Sequence, residues 1–143
     1  LYGVSGNVEI QKQLQQVSRL KSIISQIKII EPGEAVGYSR MGMSDKKRTI
    51  AIVPIGYADG LNRRFGNGGG KFLLHGKFVP LVGNVCMDMC MLDSTGIPAR
   101  EGDEVIIFGD SFHITEFSRL MGTISYEALT SISRRVKRIY YFE

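Results

Sequence analysis

Residues 50–55 read Ile50-Ala51-Ile52-Val53-Pro54-Ile55, an apolar and largely β-branched run flanked by two Gly-Tyr pairs, Gly37-Tyr38 and Gly56-Tyr57. Such a run fits a strand. Each tyrosine then sits where backbone order gives way to a loop. Strand ends are where a rigid scaffold can hold a reactive side chain out to a ligand. A tyrosine there is a general acid or base, or an amphipathic cap on a core. This stretch alone supports both readings.

The same pattern of short β-type runs cut off by turn signals continues along the chain. Residues 3–16 are polar and Gln-rich, a loop or short helix, and residues 19–30 read as one long strand. Pro32-Gly33 marks a turn, and residues 48–55 form the next strand. Asp59 is expected to cap a short helical turn through Arg63 and Arg64, ended by the glycines at 66–70. Residues 72–74 and 78–82 read as two strands joined by a tight turn at His75-Gly76-Lys77. Residues 84–92 and 104–108 are two more strands, and 136–142 a last one. Thr115 is expected to cap a helix over 116–121 with Gly122 at its stop, and Ser125 one over 126–131. The architecture predicted is mainly β: a β-barrel or folded-over antiparallel sheet with two or three short helices. A length of 143 residues suits one domain, 1–143. Leu1-Tyr2-Gly3 reads like the tail of a strand, so a piece of a larger polypeptide is expected.

The net charge of +4 singles out no partner. No apolar run approaches the ~20 residues of a membrane span, and no secretory-type leader opens the chain. Cys86 and Cys90 fall on one expected strand, where positions four apart are separated by ~13 Å, beyond disulfide reach. A reduced, cytoplasmic setting follows.

Four stretches invite chemistry. Gly68-Gly69-Gly70-Lys71 lacks the Ser or Thr and the helix that a phosphate loop needs, and reads as a flexible connection. His75 and His113 are far apart and neither pairs locally with a cysteine, so no metal site is expected. The basic and aromatic residues at 134–141 resemble a nucleic-acid strip, but alternate charged residues on a solvent-facing strand explain them as well. Residues 83–91, Gly83-Asn84-Val85-Cys86-Met87-Asp88-Met89-Cys90-Met91, carry one acidic residue in an apolar run. They are either a strand with a solvent-facing Asp88 or a ligand edge with exposed backbone N–H groups. A methionine side chain has no acid–base chemistry, so any role of Met87 falls to its backbone amide, a donor suited to a carboxylate.

Taken together, the motifs resemble the C-terminal domain of alanine racemase, a pyridoxal-phosphate enzyme. The matching pieces are Leu1-Tyr2-Gly3, Arg19-Leu20-Lys21-Ser22, residues 32–38, Ile55-Gly56-Tyr57-Ala58-Asp59-Gly60 with Arg63-Arg64, residues 82–88, Ile124-Ser125-Tyr126-Glu127, and Ile132-Ser133 with Arg135-Val136. They occur in the family's order over nearly the full length. The resemblance implies interconversion of L- and D-alanine for peptidoglycan. Two bases are needed, one for each face of the α-carbon, with pyridoxal phosphate as electron sink. One base is the lysine that carries the cofactor, in the other domain. The second, by motif, is Tyr38, acting across a dimer from the partner subunit's β-domain. A free phenol has a pKa of ~10 and needs cations or hydrogen bonds to work as a base. Met87 matches the position whose N–H binds the substrate carboxylate, and Tyr126 the tyrosine near the cofactor phosphate. Tyr57, Arg63 and Asp88 match positions lining the access corridor. Asn84 departs from the arginine often found there.

The family's cofactor lysine motif, Lys-Ala-Asn-Ala-Tyr-Gly, is missing from these residues. The resemblance therefore implies half of a composite site, inactive alone and completed by an N-terminal barrel domain, with a homodimer expected. The substrate expected is alanine, and neither nucleic acid nor membrane is an expected partner. A stand-alone racemase and one fused to another cell-wall enzyme fit equally. Two rivals are the β-domain of a related pyridoxal-phosphate decarboxylase of basic amino acids and a non-enzymatic barrel binding nucleic acid or protein.

Overall fold

A computed structural model of the chain describes residues 3–37 and 43–141. Seven strands form one antiparallel sheet: β1 (Leu20–Ile23), β2 (Gln26–Ile30), β3 (Arg48–Val53), β4 (Lys71–Leu74), β5 (Lys77–Val82), β6 (Cys90–Asp93) and β7 (Glu104–Phe108). Their order is β1-β7-β4-β5-β6-β3-β2. The sheet folds over into a half-barrel, as the short runs predict.

β1 and β2 are neighbours in sequence yet lie at opposite edges of the sheet. The long strand expected over 19–30 is thus two strands, broken at Ile24-Ser25. The break is a corner: Ile24 donates to Asp103 O (2.9 Å) and accepts from Gly102 N (2.8 Å), while Ser25 N donates to Ile52 O (2.8 Å). The backbone groups freed from one ladder are taken up by the other, so turning the corner leaves no buried donor without an acceptor.

β3 buries side chains on both faces, which is why its sequence is continuously apolar rather than alternating. Ala51 and Val53 enter the main core with Leu81, Cys90 and Leu92. Ile50 and Ile52 face the other way and pack with Val36, Val82 and Met91. The β4–β5 hairpin turns on His75 (φ 49°) and Gly76 (φ 74°), both left-handed, as a two-residue turn matching strand twist requires.

Two helices cover the main core. α2 (Ile114–Met121) buries Ile114, Phe117, Ser118 and Met121, one stripe at helical spacing. Phe117 stacks on Phe65 with centroids 4.8 Å apart and meets Phe108 at 5.1 Å. α2 starts two residues earlier than expected, because His113 rather than Thr115 is its cap. It stops at Gly122, which adopts φ 76°. α3 (Ser125–Ser131) begins at Ser125, and its cap position, Ile124, offers no side-chain bond. A one-turn helix, α1 (Val8–Gln11), occupies the Gln-rich start, capped by Asn7.

Three further expectations fail. The glycines at 66–70 are no flexible connection: Asn67 N, Gly68 N and Gly70 O hydrogen-bond to Gly83 O, Leu81 O and Leu81 N along β5. Residues 84–92 are strand only from Cys90 onward. Residues 136–141 form no strand, since no described edge pairs with them; Ile139, Tyr140 and Tyr141 stand exposed.

Candidate functional site

The site is built where two loops dock. After β3 the chain turns through a 3₁₀ segment, Tyr57–Asp59, that starts at Gly56. Across from it lies the turn at 85–89, closed by Cys86 N donating to Met89 O (2.9 Å). Tyr57 N donates to Cys86 O and Ala58 N to Met87 O, each at 3.0 Å. Gly56 is what lets the backbones come this close: a Cβ there would lie 2.3 Å from Met87 O.

Asp59 is not the cap expected from sequence. Its Oδ2 reaches back to accept from Gly56 N at 2.8 Å, and its Oδ1 accepts from Arg135 Nε at 2.7 Å. The cap of the following 3₁₀ segment, Arg63–Phe65, is Asn62. Burial would raise the Asp59 carboxyl, but the Arg135 bond and the Gly56 N–H outweigh it and hold the group below its ordinary value. Arg135 also donates through Nη2 to Asp88 Oδ1 at 2.5 Å. One guanidinium therefore joins the 3₁₀ segment to the 85–89 turn.

Met87 stands at the outer tip of that turn with its side chain exposed. Its carbonyl is used by Ala58, and its N–H donates to no described residue. Tyr57 is half exposed beside it. Arg63 is exposed, and its charge acts on Cys86, whose thiol is pushed up by burial and drawn back by the arginine. Cys90 is buried at the start of β6 and burial pushes its thiol up strongly, so both cysteines are free thiols rather than thiolate nucleophiles. Asn84 accepts from Asn67 at 3.0 Å.

Tyr38 lies outside the described residues. The backbone that leads into it does not: Val36 is buried beside Gly83, and Gly37 packs against Asn84 and Met91. An open apolar groove of about 370 Å³ runs from there over Ile50, Ile52, Cys86, Met89 and Met91. Its floor is the second face of β3.

Tyr126 is on the first turn of α3, and its hydroxyl donates to Val4 O at 3.2 Å. The far end of α3 meets the 3₁₀ segment, where Ser131 O crowds Gly60. The structure thus gathers Tyr57, Met87 and Asp88 at one edge, with Arg63 beside them. Arg135 and Asp59 complete the cluster; the sequence offered Asp59 only as a helix cap and gave Arg135 no role in the site. They are 76 residues apart, so no spacing rule pairs them.

Lys21, Lys47 and Lys71 pair with Glu104, Glu31 and Glu116, and Lys28 lines the groove. His75 pairs with Asp103 at 2.9 Å and His113 caps α2. Among the described residues no group of three His, Cys, Asp or Glu side chains could hold a metal ion. No described helix is long and apolar enough to cross a membrane.

The fold defines the class: a mainly antiparallel half-barrel domain that gathers polar groups at one loop edge. The match to known proteins is narrower. A family model described as alanine racemase, C-terminal domain, matches residues 17–140, and the chain belongs to that family. An alanine racemase of Clostridium kluyveri is 38% identical over 98% of this chain and 38% of its own length. The crystal structure of alanine racemase from Bartonella henselae, described with covalently bound pyridoxal phosphate, superposes with a TM-score of 0.90 at 33% identity, over 98% of this chain and 39% of that one. An alanine racemase structure from Clostridium difficile gives 0.88 at 40% identity, over 98% and 38%. The chain spans about two fifths of the length of these relatives.

Proposed function

We propose that this chain, as the single β-domain 1–143, supplies one half of an alanine racemase site. Tyr38 is the base for the L-face of alanine, and the Met87 N–H receives the substrate carboxylate. Tyr126 approaches the cofactor phosphate, and Tyr57, Arg63 and Asp88 line the access corridor. An N-terminal barrel of the same polypeptide supplies the lysine and most contacts to pyridoxal phosphate, with the site completed across a homodimer. When bound, the cofactor delocalises the charge left by proton removal. The full-length enzyme would make D-alanine for peptidoglycan in the cytoplasm, and the domain alone would be inactive.

The observation that carries this reading is the 85–89 turn. Its carbonyls at Cys86 and Met87 are consumed by Tyr57 and Ala58, leaving the Met87 N–H without an acceptor among the described residues, on a turn whose Cys86 and Met89 line the same groove as Gly37. A fixed N–H with no acceptor among the described residues is suited to an anion, and hydrogen bonds to charged groups are worth about 1.5–3 kcal/mol.

The test uses the full-length polypeptide. Tyr38→Phe is expected to lower L-to-D turnover by about 10²–10⁴-fold, the usual contribution of a positioned acid–base group, with the cofactor absorbance retained. Turnover near that of wild type would remove Tyr38 from the mechanism.

A further inference from the structure

We propose that Arg135 is a positioning residue whose guanidinium ties Asp59 to Asp88 and so holds the 85–89 turn where the Met87 N–H can receive a carboxylate. This rests on the reading of Met87 given above.

The connections form a closed circuit. Arg135 Nε reaches Asp59 Oδ1 at 2.7 Å and Nη2 reaches Asp88 Oδ1 at 2.5 Å. Asp59 is itself fixed at both ends, its side chain by Gly56 N (2.8 Å) and its carbonyl by Ser133 N (3.0 Å). The 3₁₀ segment that contains Asp59 then holds the turn through Tyr57 and Ala58. Among the described residues, Arg135 is the one side chain from outside the turn that bonds to it.

Two features make this more than an ordinary surface ion pair, whose contribution is small. The planar fork of arginine serves two carboxylates from different segments at once, which a lysine ammonium cannot do with the same geometry. Asp88 is also the residue next to Met87, and a carboxylate arriving at the Met87 amide meets that negative charge. The guanidinium offsets it; without Arg135 the turn is looser and the approach more repulsive.

The experiment is again in the full-length, cofactor-loaded enzyme. It compares Arg135→Gln, Arg135→Lys, Asp88→Asn and, as control, Arg134→Gln, which lacks any bond to Asp59 or Asp88. Steady-state kinetics are read with cofactor absorbance and amide hydrogen exchange. Arg135→Gln is expected to raise KM for alanine about 10-fold or more while kcat falls less than about 3-fold, the pattern of lost ground-state binding. The Tyr57 and Ala58 amides should exchange about 10-fold faster, with β4 and β5 amides and the cofactor band unchanged. Arg135→Lys and Asp88→Asn, each keeping part of the circuit, should fall between, and Arg134→Gln should match wild type. An alanine KM within about 2-fold of wild type in Arg135→Gln overturns the proposal, even if the two amides exchange faster. So does a general loss of protection and cofactor with no selective KM effect in the Lys and Asn variants. If the wild-type enzyme itself fails to racemise alanine, the functional reading falls and this proposal with it, an outcome visible before any variant is made.

Discussion

The aromatic core under α2 and the docked loops around Met87 are held by opposite kinds of force. In the core, Phe65, Phe72, Phe108, Phe112 and Phe117 are all buried and touch ring to ring. That attraction is non-directional and scales with area removed from water. At the loops, the 3₁₀ segment and the 85–89 turn are joined by directed hydrogen bonds from Tyr57 and Ala58, and three charges (Asp59, Asp88, Arg135) share one junction. Damage to the core should therefore appear as lost stability with the site geometry intact. Damage to the loops should change what the Met87 amide can bind while most of the stability remains.

Phe117→Ala is the strongest attempt to break that contrast. Phe117 is fully buried against three other rings, and truncating such a side chain costs about 3–5 kcal/mol. Urea denaturation should show the loss. Hydrogen exchange of Tyr57 and Ala58 below the transition should stay native-like, and selective loosening there would mean that the core and loops are one cooperative unit.

Gly56→Ala approaches from the other side. The added methyl would lie 2.3 Å from Met87 O and 2.4 Å from Cys86 O, both backbone atoms that cannot rotate away. Overpacking of this kind costs typically 1–3 kcal/mol. In the full-length enzyme a rise in alanine KM of about 10-fold is expected from the displaced amide, against a smaller stability loss than Phe117→Ala. An unchanged KM would show that the turn is not held in place by this contact.

The same contrast explains what the sequence could reveal. The half-barrel was legible because strands β3 to β7 announce themselves through β-branched runs and tight turns. His75-Gly76 and Gly122 are local signals with local causes. The misplaced caps at His113 and Asn62 are local errors of a few residues; the larger failures are non-local. Residues 19–30 look like one strand, since nothing near Ile24 records that its backbone partners, Asp103 and Gly102, lie far along the chain. Residues 84–89 look like a strand because Val, Cys and Met are apolar, although the turn is fixed by amides from Tyr57 and Ala58. Residues 136–141 alternate well enough but find no edge. Of the residues proposed for the site, Met87 and Tyr57 were named from motif and fall side by side in the fold, while the Asp59–Arg135–Asp88 junction was missed because it exists only once the two loops and the segment after α3 are folded together.

Asp59 gives the contrast a pH axis. Its carboxyl is held below its ordinary value of 3.8 in the folded protein, so the ionised form is the one the fold favours. Stability from this group is then fully present above about pH 3.8 and is lost as the pH falls through the lower folded value. Asp59→Asn should destabilise the chain by about 1 kcal/mol at neutral pH. The gap from wild type should stay flat down to that range and close below it. A gap that instead closes between pH 5 and 7 would mean that another group governs the junction.

The smallest expected effect is the most discriminating. Met87→Leu changes a side chain that is 54% exposed and leaves the peptide N–H in place. If recognition belongs to the backbone, the Tyr57 and Ala58 bonds still hold the turn, and alanine KM should remain within about 2-fold of wild type. Stability should shift by less than about 0.5 kcal/mol, as for surface substitutions away from caps and cores. A large KM increase with unchanged exchange at Tyr57 and Ala58 would transfer recognition to the thioether. The loops would then resemble the core after all, binding through side-chain contact rather than through a backbone donor aimed by its neighbours.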